Sequence, residues 1–332
     1  MKVAIVGASY AGLSCAKVLG DHDIKTDVFE IKQDITKFNC GEAFISGVYG
    51  VPKPPKKSIF YTIRNVALNF PNGAVTDYPC RPDSVFMTDR AIAQEEMFNN
   101  INSSVEFHLG TNGRIQQLKN DYDYVIDASG HRAQSSKIGY LPEITNEIRA
   151  IFYRIEGDFS RFRENNDIHI YGLKDGGYFW IFPQTDTQAN VGYGIKDVKP
   201  TFEILNDILT KYLDTKAKIL MRGSGIMPMD YMNKVQKGNI TVIGEGAGLM
   251  NYAVESGTQF AVSSGTQIAE HIVRGAYEQY PTHASKTYLP EVRQSKILAN
   301  FLYRNKSIIP PSLKVASVKL YLRLKKSYGK NQ

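Results

Sequence analysis

The first thirty residues constrain the fold of this 332-residue chain more than any other segment. Residues 3–6 are an all-apolar run, typical of a central parallel strand that is covered on both faces. A glycine turn, GASYAG at residues 7–12, follows that run, and apolar residues then recur with helical spacing from 13 to 19. Residues 26–30 read as a second strand that ends in an acid. Together these segments predict a β-α-β unit, in which a helix begins at the carboxyl edge of a parallel sheet.

The glycine turn predicts a dinucleotide site. Gly7 permits the tight turn and Gly12 lets the helix pack closely against it, so that N–H groups at the helix N-terminus face a pyrophosphate. The middle glycine of the G-x-G-x-x-G pattern is replaced by Ser9, whose small side chain still permits close backbone approach. Taken alone, the turn is equally compatible with a glycine loop without function. Glu30 favours the dinucleotide, because an acid there reaches ribose hydroxyls and disfavours the 2′-phosphate of NADP.

A second glycine-rich segment follows a predicted buried strand at residues 240–243. That strand runs into Glu245, which is flanked by glycines, an arrangement that suits a carboxylate approaching a polyol. Downstream, Gly257 and Thr258 open a predicted helix that runs to residue 273, and the positive end of this helix suits an anionic group. In a flavoenzyme that group is the reduced isoalloxazine. A plain glycine-rich loop is the alternative for the segment in isolation.

Between the two glycine-rich segments the pattern changes to short β-rich runs with polar or glycine breaks. These runs predict an antiparallel sheet, followed by an amphipathic helix over residues 201–213, and they cover residues 150–155, 168–172, 178–182 and 190–195. The sequence therefore predicts an α/β fold with a discontinuous Rossmann-like nucleotide domain at 1–130 and 236–275. An antiparallel-sheet substrate and catalytic domain is predicted at 131–235, and a basic helical C-terminal segment at 276–332.

Composition and charge narrow the class of protein. No stretch of about 18 apolar residues occurs and no signal peptide is recognisable, so we expect a cytoplasmic protein. Three widely spaced cysteines support neither a disulfide framework nor a zinc site, and we predict no metal. The net charge is +7, yet ten basic residues and no acid follow Glu291, which leaves about −3 for the rest. Nucleic-acid binding is therefore not expected.

The basic C-terminal segment is a candidate for contact with an anionic membrane. Leu313, Ala316, Leu320 and Leu324 recur with helical spacing, and the lysines and arginines lie largely elsewhere on the predicted helix. Such a helix can lie on anionic lipid, which would make the protein peripheral to a membrane. A helix docked on the body with solvated lysines is the alternative.

Several motifs occur in one order along residues 1–275. They are the N-terminal turn, Cys40-Gly41-Glu42-Ala43, Asp89-Arg90, Asp127-Ala128-Ser129-Gly130, Gly177-Tyr178-Phe179-Trp180-Ile181-Phe182-Pro183, Asn190-Val191-Gly192-Tyr193-Gly194 and Gly244-Glu245. In this order they resemble the geranylgeranyl reductase family of FAD-dependent oxidoreductases, which has the p-hydroxybenzoate hydroxylase-like fold. The aromatic stretch with its Asn-Val-Gly partner is the most specific element, since flavin monooxygenases share the others. The family usually has aspartate where Glu245 stands.

The resemblance implies an FAD-binding domain of the glutathione reductase type and a set of cofactor contacts. Ala11 and Gly12 would lie under the pyrophosphate, with Glu30 on the adenosine ribose and Gly110 near the adenine. Cys40, Gly41 and Ala43 would lie beside the flavin, Arg90 on phosphate or ribityl oxygens, Glu245 on the ribityl chain, and Gly257 and Thr258 at the pyrimidine edge.

The implied activity is reduction of the isolated double bonds of an isoprenoid lipid. Reduced FAD would deliver a hydride from N5 to one alkene carbon, and a proton would reach the other carbon. Cys40 is the first candidate proton donor, followed by Glu42 and Tyr178; the alternative for Cys40 is packing against the flavin alone. The predicted apolar pocket consists of Phe152, Tyr171, Tyr178, Trp180, Phe182 and Tyr193, for which ordinary core packing is the alternative.

Two other functions remain open at the level of sequence. One is a flavin monooxygenase or halogenase with the same fold, and the other is an electron-transfer flavoprotein without lipid reductase activity. No second glycine-rich nucleotide turn occurs, so stable binding of NAD(P)H is not predicted and the external electron donor is unidentified.

Overall fold

The computed structural model describes residues 1–304 except 39, 72, 174–176, 197 and 214–216, with side chains described through residue 300. The basic helix predicted beyond Leu313 lies outside the described residues. The helices are α1 (Tyr10–Asp21), α2 (Arg90–Asn99), α3 (Ile115–Asp121), α4 (Gln134–Lys137), α5 (Ser160–Arg163), α6 (Phe202–Tyr212), α7 (Thr258–Val273) and α8 (Tyr280–Arg304). Three 3₁₀ turns span Lys56–Ser58, Gly244–Ala247 and Tyr277–Gln279.

The strands of the described residues form three sheets. In chain order they are β1 (Lys2–Val6), β2 (Lys25–Glu30), β3 (Ala43–Ile45), β4 (Ile59–Thr62), β5 (Asn65–Asn69), β6 (Val75–Pro79), β7 (Val85–Thr88), β8 (Val105–Leu109), β9 (Tyr124–Asp127), β10 (Glu147–Glu156), β11 (Asp167–Gly172), β12 (Tyr178–Pro183), β13 (Gln188–Lys196), β14 (Lys218–Pro228), β15 (Gln236–Lys237) and β16 (Ile240–Val242).

The first sheet has the order β15-β16-β9-β1-β2-β8 and is parallel except at β15. Ile5 lies opposite Val28 on one side and Ile126 on the other, and all three side chains are buried. Helix α1 connects β1 to β2 and packs closely on α7, where a Cβ on Gly265 would lie 2.1 Å from the carbonyl oxygen of Ala11. This arrangement confirms the predicted β-α-β unit and the α/β fold class.

The second sheet has the order β14-β10-β13-β12-β11-β5-β6. Strands β10 to β14 are antiparallel, as their spacing predicts, whereas β11 pairs in parallel with β5. Strands β5 and β6 lie within residues 1–130, so the sheet boundary does not follow the proposed domain boundary at residue 130. That division of the chain stays a prediction. Helix α6 covers one face of this sheet with the buried side chains of Leu205 and Ile208.

Local sequence explains where the helices begin. Asp89 caps α2, since its Oδ1 accepts hydrogen bonds from the N–H groups of Ala91 at 2.9 Å and Ile92 at 3.2 Å. Thr201 caps α6 through its hydroxyl. Helix α8 contains Pro290 and contributes residues to the cavity described below. Among the described residues, no helix combines the length and the apolar character that crossing a membrane requires.

Candidate functional site

A cavity of about 1210 Å³ joins the dinucleotide turn to the second sheet. Its wall includes the starts of α1 and α7, together with Arg90 and Glu245. It also includes apolar side chains of β5, β11, β12 and α8, namely Val66, Leu68, Ile168, Ile170, Phe182 and Leu298. One continuous space is therefore lined by both polar and apolar groups.

The turn between β1 and α1 has the geometry of a phosphate-binding loop. Gly7 has a φ of +106°, and a Cβ on it would lie 2.3 Å from the carbonyl oxygen of Ala128. A Cβ on Gly12 would lie only 1.9 Å from the carbonyl oxygen of Gly7. Both positions therefore require glycine. Helix α1 consequently starts at the cavity wall, where Ser9 and Ala11 are exposed to the space and the first-turn N–H groups have no intrahelical acceptors.

Glu30 lies next to this turn, as predicted. Its Oε2 accepts a hydrogen bond from the N–H of Ala8 at 2.8 Å, and its Oε1 accepts one from Lys32 at 2.9 Å. The carboxylate borders a small recess of about 70 Å³ beside Ser9 and Arg90. Each oxygen keeps a lone pair with which it can accept a hydroxyl proton. This side chain can therefore bind a ribose and would repel a phosphate group on it.

Arg90 is held in place at the mouth of the same recess. Its Nη2 donates to the Ser9 hydroxyl at 2.7 Å, its Nε donates to Gln94 Oε1 at 3.0 Å, and its guanidinium lies 4.7 Å from the ring centre of Tyr10. The fixed cation faces the N-terminus of α1, and both favour an anion.

Glu245 lies in the cavity wall. Burial raises the pKa of this carboxyl to about 7, and the positive charge of Arg90 opposes the rise. Within the described residues, its side chain makes no hydrogen bond. A carboxyl group in such a place can accept hydrogen bonds from the hydroxyls of a polyol, which fits the ribityl chain of a flavin. The start of α7 at Gly257 and Thr258 lines the same space.

Glu42 forms a buried polar cluster beneath the loop that carries Cys40 and Gly41. Its side chain is almost fully buried, and its carboxylate forms an ion pair with Arg154. Gln184 donates to Oε2 at 2.8 Å and Asn190 donates to it at 3.2 Å. The backbone of Glu42 has a φ of +71°, and its carbonyl oxygen accepts hydrogen bonds from the N–H and the hydroxyl of Thr88. The Glu42 carboxylate is therefore the acceptor in its hydrogen bonds with Arg154, Gln184 and Asn190.

The same cluster positions Cys40. The amide of Asn190 donates to the carbonyl oxygen of Cys40 at 2.9 Å, and the N–H of Glu42 donates to the Cys40 sulfur at 3.2 Å. Asn190 also accepts a hydrogen bond from the Trp180 indole N–H at 2.9 Å. The cavity loop is thereby tied to strands β12 and β13.

Tyr178 and Glu255 meet inside the cavity. The hydroxyl of Tyr178, on β12, donates to the carboxylate of Glu255, on the segment before α7. Glu255 has a φ of +50°, in the left-handed region. The pair joins the second sheet to the segment that leads into α7 at the predicted pyrimidine edge.

Known proteins share both the sequence pattern and the fold. The geranylgeranyl reductase catalytic domain model matches residues 152–228. Digeranylgeranylglycerophospholipid reductase 3 of Methanosphaera stadtmanae is 23% identical over 299 residues, which cover 79% of this chain and 75% of that protein. The chain is therefore similar to geranylgeranyl reductases, in the catalytic segment and over most of its length.

Solved structures support the same fold. The geranylgeranyl bacteriochlorophyll reductase-like protein of Thermoplasma acidophilum superposes with a TM-score of 0.80 at 16% identity, covering 97% of this chain and 91% of that one. The HpxO protein of Klebsiella pneumoniae, solved in complex with FAD, gives a TM-score of 0.68 at 15% identity, over 97% and 94% of the two chains. Both likenesses show the fold of this chain, and the second neighbour was solved with FAD bound.

The structure brings most of the predicted cofactor residues to one cavity. Its wall contains Ser9, Ala11, Cys40, Gly41, Ala43, Arg90, Glu245, Gly257 and Thr258, together with the candidate catalytic residues Glu42 and Tyr178. Gly7 and Gly12 shape the turn behind the wall. Gly110 lies outside the cavity wall. Its φ is +71°, and its N–H donates a hydrogen bond to the carbonyl oxygen of Lys32 at 3.1 Å. Its contact with adenine stays a prediction.

The predicted aromatic pocket is divided between the two faces of the second sheet. Tyr178 and Phe182 line the cavity, whereas Phe152 and Trp180 lie on the same face but are covered. Tyr171 and Tyr193 point to the opposite face and pack in the core under α6, so the prediction was wrong for these two residues. The reason is the period of two in a strand: Tyr193 lies opposite Phe179, one residue away from Tyr178 and Trp180.

No sequence pattern predicted a role for Arg154, Gln184 or Asn190. One signal could have found Arg154, because it follows Phe152 by two residues and therefore lies on the same face of β10. Its pairing with Asn190 across the sheet depends on the register of β10 and β13, which the sequence did not provide.

Proposed function

We propose that the protein is an FAD-dependent oxidoreductase that reduces C=C bonds in the geranylgeranyl chain of a lipid or diphosphate. The observation that carries this proposal is the cavity, which is lined both by the glycine turn before α1 and by apolar side chains of the second sheet. An unactivated alkene needs an apolar, water-poor site and tight positioning more than it needs many acid groups. The name of the archaeal relative, a digeranylgeranylglycerophospholipid reductase, supports the same substrate class.

The glycine turn and the polar residues near it fit FAD. Gly7, Gly12 and the N-terminus of α1 would hold the pyrophosphate, and Glu30 would bind the adenosine ribose. Arg90 would neutralise phosphate charge, and Glu245 would accept hydrogen bonds from the ribityl hydroxyls. When bound and reduced, FAD supplies the hydride for the reaction.

Cys40 and Tyr178 are the proposed proton donors. Both line the cavity, and the backbone N–H of Glu42 orients the sulfur of Cys40. Glu42 is a weaker candidate, because its buried carboxylate already accepts hydrogen bonds from Gln184, Asn190 and Arg154. We propose that Glu42 holds the loop and that Cys40 donates the proton to the alkene carbon that receives no hydride. Unchanged turnover in Cys40→Ala would remove that role from Cys40 and leave Tyr178.

One anaerobic experiment tests the proposed function. Purified protein with bound FAD is reduced with dithionite, and geranylgeranyl diphosphate, a geranylgeranyl phospholipid and oxygen are then added separately. Reoxidation of the flavin by an isoprenoid substrate, with a reduced double bond in the product, is the expected result. Rapid reoxidation by oxygen alone, with hydroxylated product, would instead support a monooxygenase. Reoxidation by neither lipid would support an electron-transfer flavoprotein.

We further propose that an external electron donor reduces the flavin. We also propose that the basic C-terminal segment binds the protein to an anionic membrane, where a lipid substrate resides. Sedimentation with anionic vesicles compares the full chain with a shortened chain that ends at Ile308. Stronger sedimentation of the full chain is expected. Equal partitioning would contradict the membrane contact.

A further inference from the structure

Aromatic rings on the cavity side of the second sheet lie over glycines of the neighbouring strands. A Cβ on Gly194 would lie 2.4 Å from Cε1 and Cζ of Tyr178. A Cβ on Gly192 would lie 2.1 Å from Cζ2 of Trp180, and one on Gly223 would lie 2.2 Å from Cζ of Phe152. Real Cβ atoms do not approach other atoms so closely, so each ring occupies space that a side chain would need.

The register of the strands explains the pattern. Tyr178 lies directly opposite Gly194, Trp180 opposite Gly192, and Phe152 opposite Gly223. Directly opposite side chains share one face of an antiparallel pair, so a glycine leaves a gap there into which the neighbouring ring can lean. The rings consequently cover the sheet rather than standing away from it.

Gly225 provides an internal control on the same face of the same sheet. It lies opposite Ala150, which has no ring, and a Cβ on Gly225 would meet no atom within 4 Å. The close contacts at Gly192, Gly194 and Gly223 therefore come from the rings and not from the sheet itself.

We propose that Gly194 is a specificity-determining residue and that it sets the depth of the cavity above Tyr178. The inference rests on the proposed function, because the depth matters for an apolar chain that lies between the sheet and the cofactor site. A methyl group at position 194 would displace the Tyr178 ring from the sheet. Tyr178 lines the cavity, so its ring would take space from a methyl-branched chain, and its hydroxyl would leave the Glu255 carboxylate.

Gly192, which lies opposite Trp180 on β12, makes room for the Trp180 ring in the same way. The displaced Trp180 would approach the loop at Gly41, where a Cβ would already lie 3.9 Å from the indole nitrogen. The chain contains one tryptophan, so the fluorescence of Trp180 reports this displacement without any turnover.

The test compares Gly194→Ala and Gly192→Ala with Gly225→Ala in the FAD-loaded protein. Calorimetric titration measures binding of geranylgeranyl diphosphate and of hexadecyl diphosphate, whose unbranched chain is narrower. We expect G194A to lose about tenfold or more in affinity for the branched chain, and clearly less for the unbranched one. G225A should bind both probes as the wild type does. G192A should shift the emission of Trp180, whereas G225A should not.

The outcomes separate this proposal from the proposed function. If the wild-type protein binds neither probe, the proposed function fails. If the wild type binds them but G194A matches G225A, or if G194A weakens both probes equally, the specificity role of Gly194 is overturned. If G194A does not fold, the test compares Tyr178→Ala with the double variant that carries both Tyr178→Ala and Gly194→Ala. Without the Tyr178 ring, the added methyl group at position 194 has nothing to displace. Equal affinities of these two are expected, and a further loss in the double variant would overturn the proposal.

Discussion

Replacing Arg154 by methionine tests the buried cluster around Glu42 most directly. Methionine keeps much of the arginine's length but removes the charge. Glu42 is only 1% exposed, so its carboxylate would stay buried without a cation. The amides of Gln184 and Asn190 would remain as hydrogen-bond donors at 2.8 and 3.2 Å. Neither amide carries a compensating charge.

The expected loss follows from the cost of an unpaired buried charge. Removing one partner of a buried ion pair typically destabilises a protein by about 3–5 kcal/mol. At about 2–4 °C for each kcal/mol, the melting temperature of Arg154→Met should fall by roughly 10 °C. The loop that carries Cys40 should loosen as well, because Glu42 and Asn190 hold it together.

The loss should depend on pH in a defined direction. Burial raises the pKa of Glu42 above its ordinary value, and the charge of Arg154 opposes the rise. Without Arg154 the folded-state pKa rises further. A raised carboxyl pKa favours the folded state at low pH and costs stability as pH increases through that pKa. The defect of Arg154→Met should therefore be smaller at pH 5.5 than at pH 8.

Urea unfolding of the apoprotein at both pH values measures the effect. Arg149→Met is the matched control on the same strand, because Arg149 is 45% exposed and its partner Glu147 keeps Arg132 and His131. The control should lose less than about 1 kcal/mol. The double variant Glu42→Gln with Arg154→Met should recover part of the loss. If Arg154→Met stays within about 1 kcal/mol of the wild type at pH 8, or loses equally at pH 5.5, the reasoning is refuted.

Three further predictions concern the turn and two other carboxyl groups. Gly12→Ala places a methyl group 1.9 Å from the carbonyl oxygen of Gly7, so the purified protein should lose its flavin absorbance while Gly225→Ala retains it. The pKa of Glu245 is raised to about 7, so the apoprotein should lose up to about 3 kcal/mol between pH 5 and pH 8. Melting curves of Glu245→Gln should lack this decline, and parallel curves for the two proteins would contradict it. The His131, Arg149 and Arg132 hydrogen bonds outweigh desolvation and lower the pKa of Glu147 to about 2, so its contribution should persist above pH 4.5 and disappear towards pH 2. Glu147→Gln should therefore cost about 1–3 kcal/mol at pH 7 and almost nothing near pH 2, as acid titration of unfolding would measure.

Local physics explains how much the sequence could predict. The glycine turn, the apolar strand before it and Glu30 lie within thirty residues, and their spacing alone brings the acid to the turn. The short antiparallel strands were predictable for the same reason, since a strand needs only its own pattern and its flanking breaks. The order of motifs also indicated the family, which the sequence relatives support.

The second sheet shows where local reasoning stops. Strands β5 and β6 read as part of the nucleotide domain by position, yet β5 pairs with β11, β6 pairs with β5, and both strands line the cavity. The sequence groups Tyr171 and Tyr193 with the aromatic residues of the cavity, but they point to the other face of the sheet. A register is a relation between strands, and a shift of one residue would exchange the two faces.

The sequence by itself therefore determined the elements that are complete within a short segment: the β-α-β unit, the glycine turn with its acid, and the antiparallel strands. Only the tertiary structure decided which side chains meet. It paired Glu42 with Arg154, Tyr178 with Glu255, and each aromatic ring with a glycine of the neighbouring strand. Local patterns reflect interactions between residues close in the chain. These pairs join residues 12 to 112 positions apart, and their contacts exist only after the sheets have assembled.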